Sequence, residues 1–159
     1  MKKKLIIIAI ICVILDQLSK LLVISNLSVG SGFSVIPSFF SILYIRNTGA
    51  AWGMFSNGTL LLAIGSIVFL IFALKYLYDL KYISKLSTFS YGMLIGGIIG
   101  NLIDRVFRNY VVDFLSFNIF GYSFPVFNIA DCFIVISIIL IVVESLMKEG
   151  KKWLQIKKM

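Results

Sequence analysis

Four long apolar stretches, residues 5–24, 59–79, 88–107 and 127–147, alternate with shorter polar and aromatic-rich segments. Each is close to the roughly 20 mostly apolar residues that a helix needs to cross the hydrocarbon core of a bilayer. The pattern predicts a membrane protein: four transmembrane α-helices in a single integral membrane domain, 1–159. Lysine placement orients them. Lys2, Lys3 and Lys4 precede the first stretch, Lys75, Lys81 and Lys85 flank the second gap, and Lys148, Lys151, Lys152, Lys157 and Lys158 follow the last. The first gap holds only Arg46, and the third only Arg108 near its start. Basic residues stay on the cytoplasmic side, so both termini and the middle loop are expected there, with 25–58 and 109–126 facing outward. Met1-Lys2-Lys3-Lys4 followed by Leu5 to Leu15 imitates a signal peptide. No small-residue cleavage site follows, however, and bulky Ile11 precedes Cys12, so the first helix is expected to be retained.

The outward segments carry strand signals of their own. Ser38 to Arg46 is rich in aromatic and β-branched residues and reads as strand. Ser28 to Ser34, with Gly30 and Gly32, reads as turn or loop before it. Val111 to Phe117 and Tyr122 to Phe127 favour strand, with Asn118 and Gly121 available for a turn. The expectation is a small extracytoplasmic β-element on the outer leaflet. For 109–126 the alternative is a set of aromatic anchors at headgroup depth.

Composition sharpens the class. The chain is 60% hydrophobic and 14% charged, which sets it apart from globular proteins. Its 15 basic residues against 7 acidic ones would suggest nucleic acid in a soluble protein. Here they lie outside the apolar runs, where they set topology and meet anionic lipid, so no nucleic-acid partner is expected. Cys12 and Cys132 lie inside apolar stretches and read as small hydrophobes, not as a disulfide or metal pair.

Polar residues within so apolar a chain are costly and therefore informative. Asp16 and Lys20, four apart on the first helix, can meet as a structural ion pair. Gly92, Gly96 and Gly100 form a small-residue stripe for close helix packing. Beside it Gly97, Asn101 and Arg105 share a face, and Asp104 flanks Arg105 as a candidate partner. Arg108, at the frayed helix end, is expected to meet water or headgroups. Asn101 sits well inside the run and must find a partner. Asn128 and Asp131 share a face at the start of the fourth helix, where Asn128 suits a capping role. Asp113 lies in the short segment joining the third helix to the fourth, so the chain can bring Asp113 and Asp131 together at one membrane surface.

With no histidine in the sequence, a Ser-His-Asp triad and a His-ligated zinc protease are excluded. No phosphate-binding glycine-rich loop with its lysine is present. A pair of carboxylates remains. Two like charges a few ångström apart cannot both ionise, so one holds a proton while the other takes one from water. The pair titrates as a unit, and the sequence leaves open which member is protonated.

Five blocks resemble the lipoprotein signal peptidases (signal peptidase II), aspartic proteases of the bacterial inner membrane. They are Asp16-Gln17-Leu18-Ser19-Lys20, Asn47-Thr48-Gly49-Ala50-Ala51-Trp52, Gly97-Ile98-Ile99-Gly100-Asn101-Leu102-Ile103-Asp104-Arg105, Val111-Val112-Asp113-Phe114 and Asn128-Ile129-Ala130-Asp131. Trp52 stands where many members carry Phe. The resemblance implies cleavage of the signal peptide from diacylglyceryl-modified prolipoproteins, just before the lipidated cysteine. It implies Asp113 and Asp131 as the catalytic pair and Asn47, Asn101, Arg105 and Asn128 as polar residues that line the site and support substrate. Asp16 and Lys20 match its first-helix block, read here as structural support. It also implies no metal or organic cofactor, inhibition by globomycin-like cyclic peptides, and an active site at the outer face of the membrane. Two other classes compete. A small proton-coupled transporter should place its acid near the midplane, between related halves. A purely structural membrane subunit leaves the polar constellation unexplained.

Overall fold

A computed structural model gives the fold, described here for residues 2–50, 54–55, 58–80 and 83–156. Ala51 and Trp52 of the second motif and the topology residues Lys81, Lys157 and Lys158 lie outside the described residues. Four helices among the described residues are long and apolar enough to cross a membrane. They are α1 (Lys2–Asn26), α2 (Thr59–Asp79), α3 (Lys85–Arg108) and α4 (Ile129–Ile156). A four-stranded antiparallel sheet in the order β1-β2-β3-β4 completes the fold: β1 (Gly32–Ile36), β2 (Phe40–Asn47), β3 (Val111–Ile119) and β4 (Tyr122–Ser123).

The helices run past the apolar stretches for local reasons. At its start α3 is capped by Ser84, whose hydroxyl accepts from Ser87 N at 2.9 Å; it ends on Asn109 in the left-handed conformation, φ 63°. Beyond the apolar run, α4 continues into a polar turn held by the Lys148–Glu144 ion pair at 2.7 Å. Glu144 also accepts from Ser84 and Ser87 Oγ, at 2.6 and 2.7 Å, and so ties the end of α4's apolar run to the first turn of α3.

Central to the bundle is α3, which packs on α1, α2 and α4. Its glycines make this possible. A Cβ at Gly96 would lie 2.7 Å from Ala9 O, and one at Gly97 would lie 2.6 Å from Ala130 O, so any side chain would push α1 or α4 away. The lateral surfaces are apolar: Leu60, Phe72 and Leu22 are largely exposed, as suits lipid-facing positions. The interior is partly polar. Asp16, Lys20, Asp104 and Asn128 are fully buried.

The sheet departs from the sequence reading at its edge. Residues 32–36, expected mostly as loop, form β1. Gly32 is there for close approach, since a Cβ would collide with the Ile42 carbonyl of the neighbouring strand. Gly30 takes the turn itself, with φ 80°. Between β1 and β2 the turn holds Pro37 and a left-handed Ser38 (φ 58°), closed by Phe39 N–H to Ile36 O at 3.1 Å. A tighter turn through Phe120 and Gly121, both at positive φ, joins β3 to the short β4. The segment 122–127, expected as strand, pairs only at Tyr122–Ser123 and at a single bridge, Leu115 with Phe127. Pro125 breaks the run between them.

Candidate active site

Strand β3 and helix α4 each present an aspartate as their third residue, Asp113 and Asp131. Pairing with β2 sets Asn47 against Val111 and Ile45 against Asp113. Asn47 Nδ2 thereby reaches Asp113 Oδ2 at 2.8 Å, while its own Oδ1 accepts from Gly49 N at 2.9 Å. That second bond fixes the amide so that it presents a donor to the carboxyl.

At the start of α4, Asn128 and Asp131 close a reciprocal cap. Asp131 N donates to Asn128 Oδ1 at 3.0 Å, and Asn128 N donates to Asp131 Oδ2 at 3.1 Å. The spare amide group of Asn128 donates to Asp113 Oδ1 at 2.7 Å and to Asn101 Oδ1 at 3.2 Å. Asn101 Nδ2 donates to the other Asp131 oxygen, Oδ1, at 2.8 Å. All four carboxylate oxygens therefore accept an N–H, and every donor amide has its orientation fixed by a bond on its far side.

Asp113 is only 3% exposed. Burial, and then the charge of Asp131, push its carboxyl from the usual 3.8 up to about 7, against the opposing pull of the Asn47 and Asn128 amides and of Lys20. A carboxyl there can hold or release a proton near neutrality. The pair opens on a cavity of about 670 Å³, walled by Arg105 and Asn101 on one side and by Phe124, Phe127 and Val135 on another. Phe127 is stacked on Phe117 (centroids 5.7 Å apart) and meets Phe124 edge-on at 5.9 Å, so the wall is an aromatic cluster continuous with the sheet. Val135, more than half exposed, lies on the cavity's open, apolar flank.

Asn47, Asn101, Arg105, Asp113, Asn128 and Asp131 thus form one cluster. Asp16 and Lys20 lie behind it, fully buried, and Lys20 does more than pair with Asp16. Its ammonium meets Asp16 Oδ2 at 2.9 Å, Asp104 Oδ2 at 3.0 Å and Asn101 Oδ1 at 2.9 Å.

Two expectations for the end of α3 are corrected. Asp104 is bonded to Lys20 and Arg108, not to Arg105, because an i, i+4 spacing places it beside Arg108 on the face turned to α1. Arg108 is accordingly not a free headgroup anchor: it is bound to Asp104 and, at 3.1 Å, to Gln17 Oε1. Arg105 is left to line the cavity together with Asp113 and Asp131, 3.5 Å from Asn101 O. The sequence reading assigned no role to Gln17; its place beside Asp16 in the first block was the only signal. Arg46 lies over the Tyr110 ring at 4.7 Å, an exposed contact that no spacing rule foretold. Among the described residues no three His, Cys, Asp or Glu side chains converge as metal ligands.

With this geometry in view, known proteins place the chain. The sequence model of the family "Signal peptidase (SPase) II" matches residues 8–147. A solved structure of a bacterial membrane enzyme, obtained by the in meso method at 2.3 Å resolution, is 38% identical with a TM-score of 0.86, over 93% of this chain and 90% of its own. A second such bacterial membrane enzyme, at 1.9 Å, is 39% identical with a TM-score of 0.80, over 89% and 92%.

Proposed function

This chain belongs to the signal peptidase II family, and on that premise we propose that it is an aspartic endopeptidase acting on diacylglyceryl-modified prolipoproteins, cutting just before the lipidated cysteine. The observation that carries the reading is the pair Asp113 and Asp131, whose four oxygens are each held by an N–H at the mouth of an apolar cavity.

Asp113, raised to about 7, holds the proton that the pair shares, and Asp131 takes the part of the base. Water bound between them gives a proton to Asp131 as its oxygen attacks the scissile carbonyl. Asp113 donates a hydrogen bond to the developing oxyanion, and the leaving nitrogen is then protonated from the pair, which returns to one proton. Asn101 and Asn128 hold Asp131 while its charge changes, so little reorganisation is needed. Arg105 and Asn47, on the cavity wall, hold substrate carbonyls.

Substrate geometry supports the assignment. A signal peptide is an apolar helix, and the residue after its cut carries lipid. The cavity's open flank at Val135 would let such a chain enter sideways from the bilayer. Cleavage at the sheet end of the bundle then falls where the peptide leaves the hydrocarbon, at the outer face of the cytoplasmic membrane, with both termini of the enzyme inside the cell. With a peptide seated in the cavity, the aromatic wall of Phe124 and Phe127 would exclude bulk water from the reacting bond. Globomycin-like cyclic peptides would occupy the same cavity.

The test is direct. Purified protein in detergent is mixed with a synthetic diacylated prolipoprotein, and products are followed by size. The expected result is a shift blocked by globomycin and lost in both Asp113→Asn and Asp131→Asn. Full cleavage by either variant, or equal cleavage of a precursor without lipid, overturns the proposal.

A further inference from the structure

The two aspartates come from different elements, so something must set the gap between them. Behind the site lies a device suited to that. Asp104 Oδ2 accepts the backbone N–H of Val112 at 3.0 Å, the residue just before Asp113. Asp16 Oδ1 accepts the backbone N–H of Ala130 at 3.0 Å, the residue just before Asp131. The Lys20 ammonium joins the two carboxylates, at 2.9 Å to Asp16 and 3.0 Å to Asp104. Its third proton goes to Asn101 Oδ1 at 2.9 Å, which turns the Asn101 amide so that Nδ2 faces Asp131. With those three bonds the ammonium's three donors are used.

We propose that Lys20 is a positioning residue: through Asp16 and Asp104 it sets the separation of the two aspartate-bearing backbones, and through Asn101 it orients a donor onto Asp131. This rests on the dyad reading above. Lys20, Asp16 and Asp104 are all fully buried, so no solvent relaxes the triad. The arrangement is a closed chain of contacts, Val112 to Asp104 to Lys20 to Asp16 to Ala130, spanning β3, α3, α1 and α4. A simple structural ion pair between Asp16 and Lys20 needs neither the two backbone tethers nor the bond to Asn101. A displacement of about 1 Å at a reacting group is enough to cost 100-fold in rate, so the precision of this spacer matters to turnover more than to substrate binding.

The experiment measures kcat, KM and the pH profile per folded enzyme for Lys20→Met, with Asp113→Asn and Asp131→Asn alongside. Methionine keeps length and removes charge and donors. Lys20→Met is expected to lower kcat by about 10- to 100-fold while KM stays within about 3-fold. The alkaline limb that reports Asp113 should move to higher pH, because one of the positive charges favouring its ionised form is gone; Asp131, Asn47, Asn128 and Arg105 still face it. A role confined to folding would lower yield and melting temperature and leave kcat and the profile of the folded fraction in place, and that result overturns the inference. Should Lys20→Met not fold, Asp16→Asn and Asp104→Asn decide. Each keeps the side-chain shape but turns an NH2 toward either the lysine or the tethered backbone N–H, so each should show the same kcat loss; unimpaired kcat in both overturns the inference. Activity retained in Asp113→Asn or Asp131→Asn would instead defeat the dyad reading itself.

Discussion

Asp113→Asn should remove activity and, as pH rises, make the protein more stable than the wild type. The carboxyl of Asp113 sits at about 7 in the fold against an ordinary value of 3.8. A group raised in this way contributes stability that is fully present below its unfolded value and is lost as pH rises through its folded value. At about 1.4 kcal/mol per pH unit between those two values, the wild type gives up about 4 kcal/mol by the time pH passes 7. Asparagine has no charge to form and loses none of this. It has its own cost, since its NH2 must face a donor amide of Asn47 or Asn128, for about 1–3 kcal/mol independent of pH. The difference in stability should therefore start in favour of the wild type near pH 4, cross to favour the variant between about pH 4.5 and 6, and level off once pH passes about 7. The assay is thermal unfolding of both proteins in one detergent from pH 4.5 to 8.5, where each kcal/mol moves the midpoint by roughly 2–4 °C for a chain of this length. A difference that stays flat across that range refutes the buried, proton-holding Asp113, whatever the activity of the variant.

Two further predictions follow from the corrected end of α3 and from the lysine pattern. Arg105→Ala should lower turnover per folded protein by 10-fold or more, as loss of a partner to a buried charge costs about 2–5 kcal/mol. Arg108→Ala should show mainly in the melting temperature, with about 1.5–3 kcal/mol lost at Asp104; equal turnover losses in the two variants would remove Arg105 from the site. In a background lacking Cys12 and Cys132, single cysteines at exposed Ser31 and Ser123 should react with an impermeant thiol reagent added to intact cells, and one at exposed Lys85 should not. Lys85 is preferred over its neighbour Ser84 as the inside probe because Ser84 caps α3 and binds Glu144. Labelling at Lys85 from outside would invert the topology.

The helices were legible because a spanning helix advertises itself through length and apolarity alone, which tertiary contacts do not alter. The sheet was half legible. β2 and β3 carry aromatic and β-branched runs, whereas β1 begins at a glycine that sequence rules assign to a turn, although its purpose is close approach to Ile42. The polar residues near the two aspartates could be collected from spacing on a face, as with Asn101 and Arg105 or Asn128 and Asp131. Their bonding could not. An i, i+4 rule pairs Asp16 with Lys20 and Asp104 with Arg108, and an adjacent-residue guess pairs Asp104 with Arg105. Only the crossing of α1 over α3 shows that Lys20 is shared among Asp16, Asp104 and Asn101. Contacts between residues 81 and 87 positions apart, as in Lys20–Asn101 and Gln17–Asp104, leave no local trace in one sequence.

The glycine stripe and the buried charges turn out to be one requirement. A Cβ at Gly100 would sit 2.5 Å from Asp16 Oδ2, and one at Gly97 would sit 2.6 Å from Ala130 O. The first glycine makes room for the carboxylate that Lys20 holds; the second lets α4 come close enough for Ala130 N to reach the same carboxylate's other oxygen. In hydrocarbon, apolar burial does not drive helices together, so their association rests on tight packing and on polar bonds between them. Beside the Glu144 tie to Ser84 and Ser87, those polar bonds here include the ones behind the two aspartates. A substitution that weakens the association of α1, α3 and α4 therefore also shifts Asp113 relative to Asp131, and one that disturbs Lys20 or Asp16 also loosens the bundle. In this chain the geometry of the candidate dyad and the packing of the membrane helices are held by the same atoms, which is why stability and turnover have to be measured on the same folded sample for every variant proposed above.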